Sequence, residues 1–77
     1  MNVISYLKNL KGCDYIKIVL ENSDECYEGY AADFLCRATD ANRIITTKER
    51  SIGLSEFIRA EEVYVGGVKI YKIYARG

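Results

Sequence analysis

Two adjacent glycines, Gly66 and Gly67, set between alternating aliphatic residues, constrain this chain more than any other feature. Before them Val63 and Val65 alternate with Glu62 and Tyr64, the two-residue period of a strand with one buried face. Both glycines tolerate positive φ, which a two-residue hairpin turn requires. After them Val68 and Ile70 continue one face, and then the period slips, the next aliphatic being Ile73. A one-residue slip predicts a β-bulge or a change of strand partner. The stretch 52–75 therefore reads as the hairpin onto which the rest of the chain folds.

The chain has 77 residues, enough for one small domain over 1–77. So short a chain often needs further support from metal, disulfides or self-association. Metal is not expected: there is no histidine, and Cys13, Cys26 and Cys36 lack ligand spacing. Three cysteines, with no leader-like apolar segment before them, read as reduced thiols of a cytoplasmic protein, each a small buried hydrophobe. Self-association through exposed strand edges remains, so the chain itself is an expected partner.

Formal net charge is zero, which argues against a strong nonspecific nucleic-acid binder. The charge is uneven, however. Glu21, Asp24, Glu25 and Glu28 make an acidic hairpin, while Lys69, Lys72 and Arg76 make the last strand basic. These are either two solvated faces, or a negative and a positive edge that meet between subunits, or a positive edge that faces a ligand. No apolar run approaches the roughly 18–20 residues of a membrane-crossing helix.

In chain order, residues 2–11 predict a helix. Asn2 is a capping residue, Val3, Tyr6, Leu7 and Leu10 share one stripe, and Gly12 suits the exit. Strands follow at 15–21 and 26–38, the second long and bent near Gly29, Ala31 and Ala32. Further strands are expected at 43–47 and 50–54, with a kink or single turn at 54–57 before the glycine hairpin. One helix followed by a meander of short strands predicts a mainly β fold, a five-stranded, strongly bent small barrel of SH3-like or Sm-like kind.

Several stretches also resemble the Sm-like family of RNA-binding ring proteins. The segment Ile16-x-Ile18-x-Leu20 after a helix is similar to that family's V-x-V-x-L strand. Asn22, Tyr27 and Gly29 resemble its N-G-x-x-Y-x-G hairpin, with Ser23 in place of the first glycine. Asp40-Ala41-Asn42 resembles a shortened D-x-x-M-N loop. Phe57–Val63 resembles the I-R-G-x-x-V motif, with Ala60 in place of glycine. The resemblance implies a barrel whose edge strands pair into a six- or seven-membered ring around single-stranded RNA. It implies that Asn42, in the loop with Asp40, reads a base and that Arg59 packs beside it.

No catalytic constellation is present, and no cofactor is expected. General-base histidine is absent, and Gly66-Gly67 lacks the residues of a phosphate loop. Two binding functions remain. Lys69, Tyr71, Lys72, Tyr74 and Arg76 interleave base and aromatic, as single-stranded nucleic-acid sites do. Alternatively, the seven tyrosines give a protein-interaction surface, that of a small regulator or inhibitor such as a phage or mobile element encodes. On that second reading Arg59 is a salt-bridge partner of Glu56, Glu61 or Glu62.

Overall fold

The computed structural model describes residues 1–39 and 47–77. Asp40, Asn42 and most of the strand expected at 43–47 lie outside the described residues. The element order is α1 (Val3–Leu7), β1 (Tyr15–Leu20), β2 (Cys26–Tyr30), α2 (Ala31–Thr39), α3 (Thr47–Gly53), β3 (Glu56–Val65) and β4 (Val68–Arg76).

The protein is mainly β, as the sequence predicts, but the strands form an open sheet. Four strands, not five, are found among the described residues, and they lie in the order β2-β1-β4-β3. Two antiparallel hairpins, β1–β2 and β3–β4, meet along their inner strands, and that central pair runs parallel from Tyr15 beside Ile70 to Leu20 beside Ala75. A parallel pair cannot be joined by a tight turn and needs a long crossover. The chain between the hairpins supplies it, with α2 and α3 in it.

The glycine hairpin forms where expected: Gly66 and Gly67 have φ of 58° and 82°, and Val65 pairs with Val68. The slip in β4 is not a bulge. Ile16, Ile18 and Leu20 are buried on one face of β1, and their β4 neighbours on that face are Tyr71, Ile73 and Ala75. Val68 and Ile70 belong to the other face, so the strand is apolar on both sides. The irregular register lies instead in β3, between Phe57 and Arg59.

The helices depart further from expectation. The strand expected at 26–38 ends at Tyr30 and becomes α2, whose buried residues are Ala31, Phe34 and Ala38. These fall at the three-to-four residue spacing that places side chains on one helical face. The strand expected at 50–54 is the end of α3, which buries Ile52. The first helix keeps its cap, Ser5 N–H donating to Asn2 Oδ1 at 2.8 Å, but ends at Leu7 rather than Lys11. Asn9 and Leu10 close tight turns onto the Tyr6 and Leu7 carbonyls, and Asp14 Oδ2 accepts from Lys11 N–H.

All three helices add to one core. Val3 and Leu7 of α1, Phe34 of α2 and Ile52 of α3 meet Ile18 and Ile73 of the sheet. Tyr6 stacks on Phe57 with ring centroids 4.4 Å apart, and Tyr27 tilts against Phe34 at 4.8 Å. Burial raises the pKa of both tyrosines. At the helix junction a Cβ on Gly53 would lie 2.8 Å from Ile4 Cγ1, so only glycine lets α3 approach α1 this closely. The three cysteines are free, and all are exposed rather than buried in the core.

Candidate functional site

The helices occupy one face of the sheet, and no described element covers the other. Strand alternation and register fix what that open face presents. Tyr30, Tyr15, Ile70 and Val63 form one row across β2, β1, β4 and β3. Glu28, Lys17, Lys72 and Glu61 form the next, followed by Cys26, Val19, Tyr74 and Arg59. At the hairpin end the apolar row runs on into Val65 and Val68, which are 63% and 57% exposed.

Part of the charge on this face is paired within it. Arg59 Nη1 lies 3.3 Å from Glu61 Oε2, and its guanidinium sits 3.9 Å above the Tyr74 ring. Tyr74 donates its hydroxyl to Glu61 Oε1 at 3.0 Å. Arg76 reaches Glu21 at 3.6 Å, so the acidic hairpin and the basic last strand meet within one chain. Tyr15 donates its hydroxyl to Glu28 Oε2 at 3.1 Å and meets Tyr30 edge-on at 5.3 Å.

The bond to Glu28 raises the pKa of Tyr15 above the usual 10.0, because ionising the phenol would place its charge against the carboxylate. Substituting Glu28→Ala should lower the Tyr15 midpoint, followed by ring resonances in an NMR pH titration. A Tyr15 midpoint unmoved by the substitution would contradict the bond.

The structure divides the residues that the sequence grouped. Arg59, Lys72 and Arg76 come together on the open face with Tyr74. Lys69 and Tyr71 fall on the opposite face, where Tyr71 is half-buried against the core and Lys69 pairs with Glu62 at 3.7 Å. The Tyr71 hydroxyl, and secondarily its charge and that of Glu62, raise the Lys69 pKa. Asp40 and Asn42 lie outside the described residues.

Sequence reasoning missed Tyr15, Lys17, Tyr30 and Ile70 as members of one surface. Alternation along 15–21 already turned Lys17 away from the core. Its place beside Lys72 depends on β1 lying next to β4, for which no local signal exists.

Among the described residues no group of histidine, cysteine, aspartate or glutamate could hold a metal ion, and no helix is long and apolar enough to cross a membrane. No family model, no curated protein and no solved structure matches the chain.

Proposed function

We propose that this protein is a non-catalytic binding module that engages another protein through the helix-free face of its sheet. The observation that carries this reading is the composition of that face. Aromatic and aliphatic side chains cover it broadly, and Lys17, Lys72, Arg59 and Arg76 are balanced by Glu21, Glu28, Glu56 and Glu61. Tyrosine and arginine are the residues that interfaces favour, and a balanced face gives a polyanion no net attraction. The role fits a small regulator that acts by occupying a partner's surface.

A second reading is single-stranded RNA, as in the Sm-like ring proteins that the sequence resembles. What favours it is the Arg59 guanidinium stacked on Tyr74, with the Lys72 ammonium 5.3 Å from the same ring. Bases stack on such aromatics while cations hold phosphates.

The two readings separate in one set of measurements. On the protein reading, partners identified by quantitative affinity purification are lost on Tyr30→Ala, an exposed substitution that leaves the fold intact. A uridine-rich oligonucleotide then shows no measurable binding at low salt. On the RNA reading the oligonucleotide binds, and log affinity falls by roughly 0.7 per log of salt for each phosphate held. The second result would overturn the protein reading.

A further inference from the structure

We propose that Lys17 and Lys72 together form a carboxylate receptor at the centre of the open face, and that the partner presents an acidic side chain there. This rests on the reading of that face as a protein-binding surface and names the chemistry of what it binds.

The two lysines are direct neighbours on the central parallel strands. Both are half-buried, and strands in a sheet lie about 4.8 Å apart. Like charges placed directly across from each other destabilise a sheet, so the arrangement requires compensation. The acids beside them balance the net charge of the row but make no direct ion pair with either lysine. Glu28 stands opposite Lys17, but its carboxylate accepts the Tyr15 hydroxyl. Glu61 stands opposite Lys72, but its two oxygens are taken by Arg59 and Tyr74. None of the ion pairs among the described residues includes Lys17 or Lys72. Two lysines thus stand at paired positions on neighbouring strands with no ion-pair partner among the described residues, the Lys72 ammonium lying 5.3 Å from the Tyr74 ring.

The surroundings select the ligand. Across the sheet this row reads acid, base, base, acid. A phosphate backbone running along it would meet Glu28 or Glu61 on either side of the lysines, whereas a single carboxylate seated between them would not. The row on one side, Tyr30, Tyr15, Ile70 and Val63, is apolar and lies two residues away along the strands, about 6.6 Å. A matching partner segment therefore carries an acidic residue and a large apolar residue that far apart. In an extended peptide these stand two positions apart.

The test uses the full chain, isotopically labelled, and short capped peptides. One peptide holds phenylalanine and glutamate two positions apart between threonines, and the other has glutamine for glutamate. The expected result is saturable amide shifts at Lys17, Lys72, Tyr15 and Ile70 with the glutamate peptide, and at least tenfold weaker binding by the glutamine one. Lys17→Met with Lys72→Met should erase that difference. Without any ligand, Lys17→Met alone should raise Tm by roughly 1–5 °C, because it relieves the repulsion.

Equal binding of both peptides to the open face would overturn the receptor and leave the protein-binding reading standing. No binding of the glutamate peptide, or a fall in Tm on Lys17→Met, would also overturn the receptor. Inorganic phosphate or a uridine-rich oligonucleotide outcompeting the glutamate peptide at these lysines would overturn both.

Discussion

Phe34→Ala should cost about 3–5 kcal/mol and remove a quarter or more of the stability of this chain. Phe34 is fully buried and is the largest side chain at zero exposure. It is the residue by which α2 enters the core, with the Tyr27 ring 4.8 Å away. A chain of this length has roughly 4–12 kcal/mol of total stability, so the loss is severe. Truncation leaves a cavity bounded by separate elements, which cannot collapse without moving α2 off the sheet. Denaturant unfolding would show this as a large drop in midpoint. A change under about 1 kcal/mol would mean that α2 does not pack where the structure places it.

The second large effect is a contrast between neighbours. Ile73→Ala should cost about 2–5 kcal/mol, while Tyr74→Ala should cost about 1 kcal/mol or less. The two residues are adjacent on β4, yet they point to opposite sides of the sheet. Ile73 has zero exposure and lies beside Ile18 and Ala60. Tyr74 is half-buried on the open face, and its removal strips the Arg59 stack and the bond to Glu61. Those contacts are solvent-exposed and contribute little to folding. The binding consequence runs the other way: Tyr74→Ala should weaken a partner that uses the open face. Equal destabilisation by both substitutions would mean that the second face is covered too.

Particular residues explain why some of this was legible in the sequence. The β3–β4 hairpin announces itself because Gly66 and Gly67 both adopt positive φ, and β1 because its alternation is clean. Asn2 was recognisable as a cap. The segment 31–39 was not legible as a helix because two periods fit it. Tyr30, Ala32, Phe34 and Cys36 alternate as in a strand, while Ala31, Phe34 and Ala38 fall at helical spacing. Burial under the sheet decides for the helix, since the helical set is the buried one.

Likewise, Lys48, Glu49 and Arg50 are good helix formers, and only a single aliphatic, Ile52, marks the face that α3 buries. The open face could not be read at all without topology. Its aromatic and charged residues come from four strands, and its centre depends on a parallel contact between residues more than fifty positions apart, such as Lys17 and Lys72.

That parallel contact is also where the account is most exposed. Cross-strand nuclear Overhauser effects measured between the segments 15–20 and 70–75 should follow a parallel register, Ile18 meeting Ile73 and Lys17 meeting Lys72. Residues 26–30 should show no such contacts with 56–65, because they lie on opposite edges of an open sheet. Effects joining those two edges, or an antiparallel pattern between the central strands, would close the sheet or reorder it. The face on which the proposed binding rests would then not exist.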